Sequence, residues 1–244
     1  MRNDIIVLGG GWIGRKIANS LDCLLWDNWI KSKKDVELAL DNLEIKTVIN
    51  AIGESGDTQI SWCDKNKSKT YFSNVHVPYL LKEVCKDRNI KLVHLSSCYV
   101  EYDNSFYSHT KKMAEDILLD YDNVLICRIN LPIDSKPHPR NLIDKLLGYE
   151  KITGLKSSVT VLDDFVNVLE FEIDNDSAGV YNFVNEGTIS SWEIIEMFEN
   201  ESNVTLDKIF VEDSREFKVK QDVLMPSAMV SIKKQIKKYL KINK

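Results

Sequence analysis

The stretch Asp4-Ile5-Ile6-Val7-Leu8-Gly9-Gly10-Gly11-Trp12-Ile13-Gly14 decides how this chain folds. Asp4 to Leu8 is a short apolar run, the pattern of a strand buried on both faces. Glycines follow at once, and Arg15 to Leu21 then carries the pattern of a short helix. A strand, a glycine cluster and a helix N-terminus together make an anion site. Backbone N–H groups point outward, the helix dipole adds partial positive charge, and the missing side chains let a pyrophosphate approach the backbone. The glycines lie between a strand and a helix, which is the context the motif requires.

Working outward, Cys23 to Trp26 is a second apolar run and ends in Asp27. Val36 to Leu43 is helical in pattern, Thr47 to Ile52 reads as a third strand, and Gly53-Glu54-Ser55-Gly56 as a loop. Pro78 to Arg88 reads as a helix, Lys91 to Leu95 as the fourth strand, Tyr107 to Leu119 as a helix and Val124 to Arg128 as the fifth strand. Strands alternating with helices need crossover connections, almost always right-handed. They predict an α/β fold with a doubly wound parallel sheet, so residues 1–130 are read as a dinucleotide-binding domain of Rossmann type. After Arg128, Pro132, Pro137 and Pro139 force extended or turn geometry. Residues 131–244 are read as a smaller, mainly substrate-binding region that partly returns to the sheet through a strand at Val180 to Val184. Ser190-Ser191-Trp192-Glu193 matches a capping box ahead of a helix reaching Asn200. Val230 to Leu240 reads as a lysine-rich amphipathic helix with one packed and one solvated face.

The 244 residues are 43% hydrophobic and 28% charged, which suits one large globular domain or one domain with an appendage. A net charge of −5 argues against nucleic acid or an anionic membrane as partner. No apolar run approaches the roughly 20 residues that span a bilayer. Met1-Arg2-Asn3-Asp4-Ile5 runs straight into a strand pattern and does not read as a signal peptide. The 5 cysteines, Cys23, Cys63, Cys85, Cys98 and Cys127, are scattered without a C-x-x-C, as expected of a cytoplasmic protein. The 4 histidines form no H-x-x-x-H pair, so no metal site is expected.

Two further pieces carry chemistry. Ser96-Ser97-Cys98 ends the fourth strand, and Tyr107-Ser108-His109-Thr110-Lys111 opens a helix. A Tyr and a Lys four apart share a helix face, and a hydroxyl from the strand end can reach the same spot. A phenol beside an ammonium is expected to have its pKa lowered, so that it exchanges a proton with a carbonyl or alcohol near neutrality. This is the acid–base half of a hydride-transfer site. Asp27, at a strand end where an acid binds adenosine ribose hydroxyls, favours NAD. Lys31, Lys33 and Lys34 suit a 2′-phosphate and favour NADP; the residues leave both open.

The glycine loop, the strand-end serines, Tyr107-x-x-x-Lys111 and Gly179-Val180-Tyr181-Asn182-Phe183-Val184-Asn185 resemble the extended short-chain dehydrogenase/reductases. Within them, Gly11-Trp12-Ile13-Gly14, Trp62-Cys63, Cys98 followed by Glu101-Tyr102-Asp103, and the block from Ser105-Phe106-Tyr107-Ser108 to Val159-Thr160-Val161-Leu162-Asp163 are similar to the nucleotide-rhamnose synthases. Pro139-Arg140-Asn141 and Tyr149-Glu150-Lys151 lie within that block. The resemblance implies epimerisation of UDP-4-keto-6-deoxy-D-glucose at C3 and C5, then reduction at C4 by NAD(P)H, with NADP preferred, to UDP-L-rhamnose. It implies Tyr107 as proton donor, Lys111 as its partner and a holder of the nicotinamide ribose, and Ser96 as hydrogen-bond donor to the C4 oxygen, with Ser97 as the alternative. Cys98 and Lys145 take the acid–base roles of epimerisation. Gly9, Gly11, Trp12, Ile13, Gly14, Asp27 and Ala51 line the dinucleotide, and Ser97, Arg140 and Asn141 the substrate. A homodimer is also implied. The chain departs from the family in the short link from Asp103-Asn104-Ser105 to Phe106-Tyr107 and in Leu8, which stands at the first glycine of the usual spacing. These departures keep two other readings in view: a single-activity 4-keto reductase or epimerase on a related sugar nucleotide such as a dTDP sugar, and a non-catalytic dinucleotide sensor. A sensor has no need of the Ser/Tyr/Lys proton relay.

Overall fold

A computed structural model describes residues 1–56 and 59–242. In chain order the elements are β1 (Arg2–Leu8), α1 (Trp12–Leu21), β2 (Cys23–Trp26), α2 (Lys33–Leu40), β3 (Thr47–Asn50), α3 (Trp62–Lys65), α4 (Lys67–Tyr71), a π-helical turn (Phe72–His76), α5 (Val77–Arg88), β4 (Lys91–Ser97), a 3-10 turn (Cys98–Glu101), α6 (Phe106–Leu118) and β5 (Val124–Ile129). There follow β6 (Pro132–Ile133), α7 (Leu142–Gly148), β7 (Lys151–Thr153), β8 (Lys156–Ser157), β9 (Thr160–Val161), α8 (Leu162–Asp174), β10 (Gly179–Asn182), β11 (Ile189–Ser190), α9 (Ser191–Ser202), β12 (Ile209–Val211), β13 (Glu216–Phe217) and α10 (Ala228–Ile242).

These elements form two compact units. The first comprises Met1–Arg128 and Glu170–Tyr181; the second comprises Ile129–Leu169 and residues 182–242. The first unit is built on a 6-stranded sheet in the order β10-β5-β4-β3-β1-β2. β1 pairs parallel with both β2 and β3, and β3 pairs parallel with β4, placing Asn50 opposite His94. The chain therefore leaves β1 towards one edge and returns on its other side as β3. The glycine loop sits at that reversal, where an open α/β sheet offers a crevice at its strand ends.

Local chemistry sets where the helices begin and end. α2 starts at Lys33, ahead of the expected Val36, because Ser32 and Asp35 close a capping box. It ends at Leu40, ahead of Leu43, and Asn42 takes a left-handed φ of 60°. α5 carries Pro78 in its first turn, where a missing N–H costs nothing, and ends at Asn89 in the left-handed region. Leu8, Val48, Leu92 and Ile126 share one core with Val36, Leu40, Leu81, Val84 and Leu118 of the covering helices.

The second unit has its own core, including Ile133, Ile143, Val161, Ile194, Phe198, Ile232 and Ile236. The capping box at the start of α9 is present: the Glu193 N–H donates to Ser190 Oγ at 3.1 Å, and Glu193 Oε2 accepts from the Ser190 N–H at 2.7 Å. On α10, Ile232 and Ile236 are buried while Lys233 and Lys237 pair with Glu201 at 3.3 and 3.6 Å. No helix among the described residues is long and apolar enough to cross a membrane.

Candidate active site

The glycine loop has the shape the sequence implies. Gly9 has φ 109°, a left-handed backbone, and a Cβ there would lie 2.9 Å from the Ile52 nitrogen and 3.0 Å from the Ala51 carbonyl carbon. At Gly14 a Cβ would drive into the Gly9 carbonyl and stand 3.1 Å from Ala51 Cβ. Gly9, Gly14 and Ala51 thus pack helix, loop and third strand together. A Cβ at Gly11 meets nothing within 4 Å, so this glycine opens outward. Trp12, Ile13 and Gly14 form the first turn of α1, which has no acidic residue and no side-chain cap at Gly11. The positive end of the helix is left to an incoming anion. This cradle fits a dinucleotide pyrophosphate.

Asp27 lies just past β2, against Gly10, and pairs with Arg15. Arg15 was not expected at this end of the loop; its place one turn into α1 brings it there. Of the lysines proposed for a 2′-phosphate, Lys33 is paired with Asp87 at 2.6 Å, away from the loop on α5.

At the end of β4 the two serines separate, because neighbouring strand residues point to opposite faces. Ser96 Oγ donates to Glu115 Oε1 at 2.6 Å in the core. Ser97 hydrogen-bonds the Tyr107 phenol and caps the following turn by accepting the Tyr99 N–H at 3.2 Å. The hydroxyl brought to Tyr107 is therefore Ser97, the alternative of the two, while Ser96 is turned to Glu115.

Tyr107 and Lys111 are both on α6, whose first turn is fixed by the Ser105 cap and by the Phe106 N–H donating to Asp64 Oδ1 at 2.9 Å. Burial pushes the Tyr107 phenol up to about 12, with Ser97 opposing. The expected lowering by Lys111 is not found: burial dominates. Lys111 Nζ instead donates to the Leu95 carbonyl at 2.8 Å, and burial pulls its ammonium down to about 8, with the Glu115 carboxylate opposing. Asn74, inside the π-helical turn, was missed. It is fully buried; its Oδ1 accepts the Glu54 N–H at 2.7 Å, and its Nδ2 donates to Thr110 Oγ1 at 3.1 Å. An added Cβ on Gly53 would lie 3.2 Å from Lys111 Nζ and 3.4 Å from Asn74 Oδ1, so the loop, the turn and the lysine converge.

Cys98 is buried at the start of the 3-10 turn and bears electrostatically on Tyr107. Cys63, read from sequence as a packing residue, is buried too, with Sγ 3.7 Å from the Glu54 carbonyl, and it bears on both Tyr107 and Lys111.

In the second unit, Lys145 is half-buried on α7, and desolvation, then the neighbouring Arg140 charge, lowers its pKa. Asn141 is not available for a substrate. Its Oδ1 accepts from the Asp134 N–H at 3.2 Å and its Nδ2 donates to the carbonyls of Asp134 and Lys136 at 2.9 and 3.2 Å, so the amide is consumed in holding the proline segment and capping α7. The Arg140 N–H donates to His138 Nδ1 at 3.1 Å, which fixes the backbone from which its guanidinium extends. No group of His, Cys, Asp and Glu suited to a metal ion occurs among the described residues.

No family model matches the chain. A curated relative, the bifunctional dTDP-4-dehydrorhamnose 3,5-epimerase/dTDP-4-dehydrorhamnose reductase of Arabidopsis thaliana, is 29% identical over 217 residues, covering 78% of this chain and 72% of that protein. The chain is similar in sequence to nucleotide-sugar epimerase/reductases of this kind. A second Arabidopsis thaliana relative, the trifunctional UDP-glucose 4,6-dehydratase/UDP-4-keto-6-deoxy-D-glucose 3,5-epimerase/UDP-4-keto-L-rhamnose-reductase, is 32% identical over 178 residues, or 64% of the chain. The chain spans only 27% of that protein's length. Among solved structures, a UDP-rhamnose synthase from Acanthamoeba polyphaga mimivirus shares the fold with a TM-score of 0.84 at 22% identity, covering 96% of this chain and 99% of its own. A dTDP-4-dehydrorhamnose reductase from Bacillus anthracis, solved with NADP, gives a TM-score of 0.81 at 16% identity over 98% and 99% of the two chains. Glu115 was legible in principle: Tyr107, Lys111 and Glu115 follow at a spacing of four on one face of α6.

Proposed function

We propose that the chain is a bifunctional nucleotide-sugar 3,5-epimerase/4-reductase that converts UDP-4-keto-6-deoxy-D-glucose to UDP-L-rhamnose with NAD(P)H. The observation that carries this reading is the convergence of Ser97, Cys98, Tyr107 and Lys111 at the end of β4. The relatives' activities agree with it, and a fold neighbour solved with NADP supports a nicotinamide dinucleotide on the glycine cradle. NADP is the preferred form, with Arg15 on hand for a 2′-phosphate.

Gly9, Gly11, Trp12, Ile13 and Gly14 would hold the pyrophosphate, Asp27 and Arg15 the adenosine end, and Lys111 the nicotinamide ribose. The bound dinucleotide supplies the hydride. A phenol held near 12 keeps its proton at neutral pH, so Tyr107 enters the reduction as an acid and gives that proton to the C4 oxygen as negative charge develops there. Ser97 donates a hydrogen bond to the same oxygen, a fixed dipole aimed at developing charge. Lys111, balanced near 8, returns a proton to the phenolate. In the epimerisation, loss of the proton α to the ketone gives an enolate, and Cys98 is the acid–base group beside Tyr107. Lys145 is a second candidate on its own chemistry, since a lysine with a lowered pKa exchanges protons closer to neutrality.

Incubation with UDP-4-keto-6-deoxyglucose and NAD(P)H in deuterated water tests the reading. Deuterium at C3 and C5 together with nicotinamide oxidation is expected. Oxidation without label leaves only a reductase. Dinucleotide binding with neither outcome sinks both.

A further inference from the structure

A connected polar arrangement in the first unit centres on Arg128. Its guanidinium forms a fork on Glu115, with Nε to Oε1 at 2.9 Å and Nη2 to Oε2 at 2.6 Å. The remaining amino group, Nη1, reaches Glu101 Oε1 at 2.7 Å. Glu115 is fully buried, and Ser96 adds the third hydrogen bond to its carboxylate. A buried carboxylate needs such partners, and the planar arginine fork supplies two in fixed geometry.

The three residues joined by Arg128 belong to different parts of the site. Glu115 is on α6, two helical steps of four beyond Tyr107 and one beyond Lys111. Glu101 closes the short 3-10 turn that Cys98 opens. Arg128 itself is on β5. That turn is a single four-residue piece, its side-chain cap is Ser97, and its far end is fastened by Glu101. Residue 98 therefore lies between two anchors, Ser97 at the strand and Glu101 on Arg128.

We propose that Arg128 and Glu101 form a positioning bracket for Cys98, holding its turn in register with the helix that carries Tyr107 and Lys111. The bracket serves the proton exchange of epimerisation and is dispensable for hydride delivery, because Tyr107 and Lys111 are placed by α6 itself. This inference rests on the epimerase/reductase reading. Neither Arg128 nor Glu101 is a catalytic residue here; both act through the placement of Cys98.

The decisive variant is Glu101→Ala. It opens the bracket at its more exposed end and leaves the Arg128–Glu115 fork and the Ser96 bond in place. Two rates are measured on the full chain. One is deuterium wash-in at C3 and C5 of UDP-4-keto-6-deoxyglucose without reductant. The other is NADPH oxidation on the same sugar nucleotide after treatment with a separate 3,5-epimerase. Exchange is expected to fall on the order of 10- to 100-fold, the scale of a misplaced catalytic group, with NADPH oxidation changed by less than about 2-fold. Arg128→Lys, which keeps the charge and loses the fork, is expected to lower exchange likewise. Far-ultraviolet circular dichroism and melting confirm that each variant is folded. Equal losses in both rates, or exchange at the wild-type rate in Glu101→Ala, overturn the bracket. Wild-type protein that exchanges nothing overturns the epimerase reading and the bracket with it, an outcome distinct from failure of the variant alone.

Discussion

Lys111 sits where its charge is costly, and that cost has a pH signature. Its pKa in the folded chain, about 8, lies below the ordinary 10.5. Between those values the unfolded chain keeps a proton that the folded chain has released, so stability rises with pH through this window. Below about pH 8 the full penalty is present, on the order of 3 kcal/mol for a group this deeply buried. Lys111→Met is predicted to be more stable than wild type at pH 7 and to lose that advantage as pH approaches 10.5. Denaturant melts at the two pH values check this, and a difference independent of pH would rule it out. The serines give a second contrast. Ser97→Ala removes the hydroxyl beside Tyr107 and should lower the reductive rate about 100-fold or more. Ser96→Ala removes a donor to buried Glu115 and should cost about 1–3 kcal/mol of stability with a smaller loss of rate. Steady-state kinetics beside thermal melts separate the two. The Ser-Ser pair was legible as a functional strand end, but the choice between them was not: both occupy a plausible register, and only the position of Glu115 across the core decides which hydroxyl is taken.

The best-read elements are those whose hydrophobic period is set locally, namely β1, β3, β4, α5 and α6. The π-helical turn at Phe72–His76 carries no such signal. Asn74 there makes hydrogen bonds to Glu54 and Thr110, partners twenty and thirty-six residues away, and no local pattern announces them. Residues 159–174 show the same limit. Val159 to Asp163 was legible only as a family-like segment, whereas α8 begins at Leu162, directly after the two-residue β9. The glycine loop is the opposite case, since its place between a strand and a helix marked it in the sequence, although its internal contacts did not show there. At Gly14 a methyl group would meet the Gly9 carbonyl, and backbone cannot yield as a flexible side chain can. Gly14→Ala is therefore predicted to push α1 off the loop and to weaken dinucleotide binding at least about 10-fold, the scale of a lost phosphate contact, with the rest of the fold intact. Fluorescence titration with NADH and NADPH measures it, and undiminished affinity would show that the α1–loop contact is not what shapes the cradle.

The first unit is not a continuous piece of chain. It needs Glu170–Tyr181, which arrives after the chain has built most of the second unit's strands. That returning segment supplies β10, the neighbour of β5 at the edge of the sheet. It also supplies counter-charges. Arg2 reaches Glu170 at 3.4 Å and Asp174 at 2.8 Å, and the buried Lys91 reaches Asp176 at 2.9 Å. From sequence, a strand returning near Val180 was legible by its apolar run, whereas these ion pairs, spanning the whole length of the unit, were not. A chain ending after Arg128 would expose the nearly all-apolar Val124-Leu125-Ile126-Cys127 stretch as an unpaired edge and leave Lys91 buried without its carboxylate. Unpaired apolar edges recruit other strands, and a buried lone charge destabilises strongly. Residues 1–128 alone are therefore predicted to aggregate, whereas the same residues joined by a flexible linker to 170–181 should recover a soluble species. Size-exclusion chromatography of the two proteins reads the outcome directly. A monomeric, cooperatively melting 1–128 fragment would show instead that β10 and its carboxylates are ornaments on a sheet complete without them.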